Sequence, residues 1–511
     1  MKSGGLLVNY LGQAWAAIIS FAFIPLYLKY LGPDAYALVG FYAVFQAWMS
    51  ILDSGLTQYL QREVGRMGNE LWGLNSISYR YSFSRLVLLA ELAAFALACI
   101  SILIGYLFAN YFASSWFQVD LIEGPVIQKS ILLMSFVVAV RLFESFYRSM
   151  LVGAERHLFL NSHLIIFSTL RAVGAIVVLT AFSTSIESYF LWQLVVTCAA
   201  AIVFKVYISC IFSYPSSSVK TAALFRFGAI SFARGAYGLA LVSTIIFQAD
   251  RLVLSRFLPM SEFGYFSAAA GVSGMVLLLL TPLSSYFYPK LCSAIETDDH
   301  ALFRYRIHIG TQVLVSTIAP FAITGAIAAK PVLIAWSQDT LMAEAVSPLL
   351  SLLLLANFVN ALSYLPYLSQ LSLGNTSTWF RIYVLCSLLY FPALIVVAER
   401  YGAFGSSICW LLFNICVLLS VAKFGFSGLT GGLRKEWFIR SVFPPLVASC
   451  ISSLILGIVL NSLQLVPKLQ FILCLVIGVI FVSIISVGFA PDLRRISLVE
   501  IKKYYQKFRI S

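Results

Sequence analysis

The sequence predicts an all-α integral membrane protein of about 14 transmembrane helices: two six-helix lobes related by a parallel repeat, plus a C-terminal helix pair. Three observations predict it. Only 11% of the 511 residues are charged and 60% are hydrophobic. Apolar runs of about 20 residues, long enough for a helix to cross a ~30 Å hydrocarbon core, follow one another from Leu6 to Gly488. A set of motifs also recurs about 228 residues apart. In lipid every backbone N–H and C=O must be bonded within the chain, so such runs fold as helices.

The predicted spans run roughly over 5–28, 36–60, 85–109, 129–151, 161–182, 189–212, 228–251, 264–289, 308–329, 346–372, 382–398, 403–422, 441–460 and 469–489. Lys and Arg concentrate in alternate loops and in both tails, which places both termini in the cytoplasm. The net charge of +13 is therefore a topology signal, and no nucleic-acid partner is expected. The first span lacks a small-residue cleavage pattern and is too long for a signal-peptide core, so it is expected to stay in the mature protein. The nine cysteines lie almost all in apolar spans and form no Cys-x-x-Cys pair, and the four histidines show no ligand spacing. Neither a metal site nor a disulfide framework nor a cofactor is expected. The longest aqueous segments are inner ones, about 61–84, 290–307 and the tail from Pro491. With no outer loop of domain size and no acidic catalytic cluster, the chain is not expected to be an enzyme.

The repeat gives the domain organisation. Lys29-Tyr30-Leu31-Gly32-Pro33 and Leu52-Asp53-Ser54-Gly55-Leu56-Thr57-Gln58-Tyr59 are echoed by Arg256-Phe257-Leu258-Pro259 and Leu280-Thr281-Pro282-Leu283-Ser284-Ser285-Tyr286-Phe287. Leu151-Val152-Gly153 is echoed by Ser372-Leu373-Gly374. Six spans separate the copies, an even number, so both halves keep one orientation, as in lobes that rock about a central cavity. The expected parts are an N-lobe over 1–212, a C-lobe over 213–424, a further helix pair over 425–489 and a basic tail over 490–511.

Ionisable side chains at membrane depth are expensive, so each is a functional candidate. Asp53, Glu91, Arg141, Glu144, Arg171, Arg234 and Asp250 qualify. Five of these seven fall in spans two to five, and spans eight to fourteen carry none in their cores. By position along their spans, Arg141 and Arg171 lie near the midplane. Arg141, Glu144 and Arg148 follow at i, i+3, i+7 and share a helix face. They read either as an ion-pair ladder or as part of a site. Arg171 has no acidic residue within a helical turn. It faces a substrate phosphate, which a guanidinium fork matches, or Glu144 of the preceding span. Asp53 and Glu91 read as carriers of a coupling proton, or as partners of Arg62 or Arg85. Asp250 reads as a member of the same coupling set or as a cap for its helix end.

Aromatic residues make up 15% of the chain. Much of that is interfacial belt, while Tyr286, Tyr288, Tyr364 and Tyr367 stand near prolines and offer rings to a sugar face. From Ser497 onward Leu498, Ile501, Tyr505 and Phe508 keep helical spacing among Lys502, Lys503, Lys507 and Arg509, which predicts a basic amphipathic helix on the anionic lipids of the inner leaflet.

Several motifs in this order carry a family resemblance. Asn9, Gly12 and Gln13 precede Pro25, then come Leu31-Gly32-Pro33-Asp34-Ala35-Tyr36, Asp53-Ser54-Gly55-Leu56 and Arg62-Glu63. Gly153 with Asn161 and Arg171, Asp250-Arg251 with Gly264-Tyr265-Phe266, and Tyr401-Gly402-Ala403-Phe404-Gly405 follow. Over roughly residues 1–425 the chain resembles the O-antigen flippases of the multidrug/oligosaccharidyl-lipid/polysaccharide exporter superfamily. That resemblance implies transfer of an undecaprenyl-diphosphate-linked oligosaccharide from the cytoplasmic to the periplasmic leaflet of the inner membrane. It implies alternating access driven by a coupling proton or sodium ion, with other polysaccharide-assembly proteins as possible partners. On this reading Arg141, Arg171 and Arg234 hold the diphosphate, and Asp53, Glu91, Glu144 and Asp250 serve ion coupling or a salt-bridge switch. Two relatives are the alternatives. A lipid II flippase shares the fourteen spans, but the first span here lacks that branch's arginines. A multidrug cation antiporter should present an acidic cavity, which midplane arginines oppose.

Overall fold

Backbone groups that find no water in a bilayer bond along their own chain, and helix accounts for nearly all of the structure. A computed structural model describes residues 3–67, 77–118, 122–212, 228–374, 377–424, 433–462 and 468–495. Within these, side chains are described except at 3–11, 52, 54–55, 66–67, 77–85, 211–212, 228–240, 433–434 and 468–469. The helices are α1 (Ser3–Ala22), α2 (Ile24–Met67), α3 (Ile77–Tyr111), α4 (Gly124–Gly153), α5 (His157–Ala181), α6 (Ile186–Phe212), α7 (Gly228–Phe257), α8 (Met260–Ser273) and α9 (Met275–Leu278). They continue as α10 (Leu280–Glu296), α11 (His300–Ile327), α12 (Ala329–Ser337), α13 (Thr340–Leu362), α14 (Tyr364–Ser372), α15 (Ser377–Phe424), α16 (Leu433–Glu436), α17 (Phe443–Ser462) and α18 (Lys468–Phe489). Among the described residues there is no β-strand, only an isolated bridge between Gln118 and Pro259. The predicted amphipathic tail from Ser497 lies outside the described residues.

All fourteen predicted spans fall on helical backbone. Among the described residues, 10 helices are long and apolar enough to cross a membrane, or up to 11 if Gly12–Ala22 and Ile24–Ile51, bent by 44°, form one span. α15 counts once in that number, although its 48 residues break at Gly402 (φ 57, ψ −145). That break coincides with the predicted boundary between spans eleven and twelve. α2 breaks likewise at Gly32 (φ 78, ψ 164), a left-handed position that a side chain would strain. Pro33 then opens the next helical stretch, where its missing N–H costs nothing. The repeat is visible in the backbone. The Gly32-Pro33 break answers the Leu258-Pro259 break between α7 and α8. In the second echo the positive φ falls at different places, at Glu155 two residues beyond Gly153 and at Gly374 itself.

By internal contacts the chain divides into two compact units, Met1–Ser267 and Ala268–Ser511. In the first, α4 is the central helix, packed on α2, α3 and α6, while α1 lies along α5 and α2 along α7. Leu60, Val64, Ala90, Ala94, Phe146, Tyr147, Met150, Phe204 and Ile208 form its core. Lipid tails are as apolar as these side chains, so close packing rather than the hydrophobic effect holds the helices together. Ala90 and Ala94, one turn apart on α3, let α4 approach. Gly264 on α8 sits so close to the Pro33 carbonyl that a Cβ there would overlap it. The π-helical turn after α3, Phe112–Trp116, is pinned to the end of α7. Arg256 donates to the carbonyls of Ser115 and Trp116, and the Trp116 indole donates to Ser255.

In the second unit α11 is central and meets α10, α13, α17 and α18. Its buried polar groups pair with one another. Asn360 donates to Asn414 (2.8 Å), the Trp410 indole to Asn357 (3.2 Å) and the Trp437 indole to Thr311 (2.9 Å). A tighter knot joins the final helix pair to α11. Asp492, only 2% exposed, accepts from Arg440 and from the Gln312 amide at 2.8 Å. The Gln312 carbonyl accepts from the backbone N–H groups of Asp492 and Leu493 in return.

Candidate functional site

The predicted shared face of α4 is real geometry. Phe146, Tyr147 and Met150 turn into the first unit's core. Arg141, Glu144, Ser145 and Arg148 turn the other way, toward α2, and line a cleft of about 210 Å³. α2 closes it with Gln46, Ser50 and Asp53. At about 30 Å³ per molecule such a volume admits several waters, and polar walls favour them.

Arg141 lines this cleft and Arg171 does not, and their partners differ. The Arg141 Nε donates to the Tyr42 hydroxyl at 3.0 Å. Among the described residues Arg141 makes no ion pair, so its terminal N–H groups stay free toward the cleft. Arg171 sits behind it on α5, with its Nη2 2.8 Å from the Glu144 carboxylate. The side chains of that pair are 15% and 16% exposed. Arg171 thus takes the acidic alternative the sequence left open. Its Nε is buried and has no hydrogen-bond partner among the described residues.

The acidic candidates separate. Asp53 is 5% exposed and faces the cleft, with the Ser145 hydroxyl in hydrogen-bonding reach. Arg62, one of its expected partners, is exposed, and the Arg85 side chain lies outside the described residues. Glu91 does not line the cleft. It accepts from the Tyr147 hydroxyl at 2.6 Å and pairs with Lys205 at 3.2 Å, so its cation comes from α6 and not from Arg62. Asp250 is buried near the end of α7, where its carboxylate accepts from the Arg251 backbone N–H at 2.7 Å, a bond within its own helix. Arg234 lies on α7, but its side chain is outside the described residues. The structure therefore brings Asp53, Arg141, Glu144 and, through Glu144, Arg171 together, and leaves Glu91 and Asp250 elsewhere.

Tyr42 and Gln46 are site residues that the sequence reading missed. Counting back from Asp53 by helical steps gives Met49, Gln46 and Tyr42, so one face of α2 held the signal. Of the tyrosines singled out, Tyr286 is 57% exposed with the Lys290 ammonium 3.4 Å above its ring. Tyr367 packs on Trp379 at 4.9 Å.

Long apolar helices, with guanidinium groups turned into a cleft between two of them, define a polytopic membrane protein, and its relatives make it a transporter. The chain belongs to the polysaccharide biosynthesis protein family, whose pattern it matches over residues 4–294. It is 21% identical over 411 residues to a Shigella flexneri protein provisionally assigned as an O-antigen transporter, a match covering 79% of this chain and 92% of that one. It is 23% identical over 239 residues to a succinoglycan biosynthesis transport protein of Rhizobium meliloti, covering 45% and 46%. Among solved structures it resembles the lipid II flippase MurJ in its inward closed conformation (TM-score 0.66, 16% identity, 95% and 98% covered). It also resembles an inward-facing multidrug resistance transporter of the MATE family (TM-score 0.61, 12% identity, 84% and 99% covered). At these identities the structures establish the fold. Every one of these relatives is a transporter or flippase and none is an enzyme, in line with the sequence expectation.

Proposed function

We propose that the protein is a flippase that moves an undecaprenyl-diphosphate-linked oligosaccharide, an O-antigen or related surface-polysaccharide unit, across the cell inner membrane. The observation that carries this reading is Arg141. A guanidinium positioned by Tyr42, unpaired among the described residues and open to a membrane-embedded cleft, suits a diphosphate. Arg148 lines the same cleft and Arg171 backs it, so three guanidiniums face two carboxylates, Asp53 and Glu144. That balance favours an anionic headgroup over the cationic drugs of an antiporter.

In the proposed cycle both termini lie in the cytoplasm, and the diphosphate enters from the inner leaflet. Arg141 and Arg148 hold it while the polyprenyl tail stays in lipid. The repeated halves, 1–212 and 213–424, rock between inward and outward states. Asp53 is the coupling-ion candidate that the geometry favours, because it shares the cleft with Arg141. A proton or sodium ion bound there biases the cycle by its differential affinity for the two states.

The test is complementation of a strain lacking the gene, scored by surface polysaccharide and by lipid-linked oligosaccharide retained inside. Arg141→Ala should abolish display at an unchanged protein level in the membrane, and Arg141→Lys should restore part of it. Full display by the Ala variant would end the reading.

A further inference from the structure

We propose that Glu144 is an internal competitor for the substrate's diphosphate: it holds Arg171 in the arrangement described above and yields it to the arriving anion. This rests on the reading of the cleft as a diphosphate site. Three observations carry it. Glu144 lines the cleft, whereas Arg171 does not, so Arg171 reaches the cleft only through this carboxylate. On α4 Glu144 stands three residues after Arg141 and four before Arg148, so two further guanidiniums flank it along one helix face. The grip on Arg171 is also incomplete, since among the described residues a single Nη2–Oε2 bond is made and the buried Nε is left without a partner.

A diphosphate carries more charge and more acceptor oxygens than a carboxylate, so it can satisfy donors that Glu144 leaves open. Displacing Glu144 turns the pair around. The carboxylate loses its partner in the same event in which Arg171 gains a better one. The reverse exchange expels the product. Glu144 thus sets how long the headgroup stays, because a carrier must bind firmly enough to load and weakly enough to release. With Glu144 neutral, three guanidiniums would face one carboxylate. The site would then grip its anion harder and let go more slowly.

The experiment uses the purified full-length protein in nanodiscs, with inorganic pyrophosphate as the probe in calorimetric titration and turnover measured in vesicles. Glu144→Gln should bind pyrophosphate about tenfold tighter, the effect of one charge a few ångströms away in a partly solvated site, and its turnover should fall. Glu144→Asp should restore turnover. Arg171→Gln, which frees Glu144 into the cleft, should weaken binding, and this second variant decides the matter if Glu144→Gln does not fold. Unchanged or weaker pyrophosphate binding by a folded Glu144→Gln protein would overturn the proposal. Arg141→Gln separates the two ideas. If it leaves pyrophosphate binding intact, the diphosphate site itself is wrong; if it weakens binding while Glu144→Gln changes nothing, only the competitor role is lost.

Discussion

The two compact units spend their buried polar groups differently. In the second, several close on one another, Asn360 on Asn414, Trp410 on Asn357, and Asp492 on Arg440 and Gln312, although the buried Ser363 hydroxyl has no hydrogen-bond partner among the described residues. In the first, Arg141 and Asp53 face a cleft, and Arg171 keeps a buried nitrogen unsatisfied. Polar groups in lipid are costly unless satisfied, so unsatisfied ones beside a cleft are functional candidates. Polar groups of the first kind join helix to helix; those of the second are the candidates for holding a ligand.

The comparison can be broken by mutations of opposite character. The largest effect should come from Arg141→Gln, with transport falling about a hundredfold, as expected when a charged partner of a desolvated anion is removed. The thermal midpoint in detergent should hardly move. A parallel loss of stability would make Arg141 a packing residue and erase the contrast. Next comes Asp492→Ala, which strands the fully buried Gln312 amide and should destabilise by about 1–3 kcal/mol. Transport per folded molecule, measured in vesicles at equal protein, should be retained. A transport defect without unfolding would show that the second unit also does chemistry. Asn360→Ala removes interhelical bonds to Asn414 and Tyr383 and should cost about 0.6 kcal/mol for each, the average for such bonds in a membrane protein, read as a small shift in denaturation. The smallest effect belongs to Lys205→Ala. Its side chain is 59% exposed, and Glu91 keeps the Tyr147 hydroxyl as a donor once the ammonium is gone. Protease sensitivity of the first unit should be unchanged.

Much of the fold could be read from the residues because its causes are local. Run length sets the spans, and Gly32-Pro33, Leu258-Pro259 and Gly402 mark breaks that the backbone then makes. The face shared by Arg141, Glu144 and Arg148 follows from helical periodicity. The site was legible only in part. Tyr42 carries no charge, so a search for ionisable groups passed over it, although it orients the Arg141 guanidinium. The partner of Glu91 was sought along the adjoining loops, but packing of α6 against α4 supplies Lys205 instead.

By itself, the sequence determined that this is a helical membrane protein, where its helices break, and which charged residues fall within its apolar runs. Apolar runs of about 20 residues satisfy their own backbone in hydrocarbon only as helices, and the count of residues gives each run's length. Only the tertiary structure decided which of two similar arginines is paired and which is open. Glu144 and Arg171 stand on different helices, and whether they meet depends on how each helix is rotated by its neighbours. That rotation is set by side chains throughout the unit, and no short stretch of sequence encodes it.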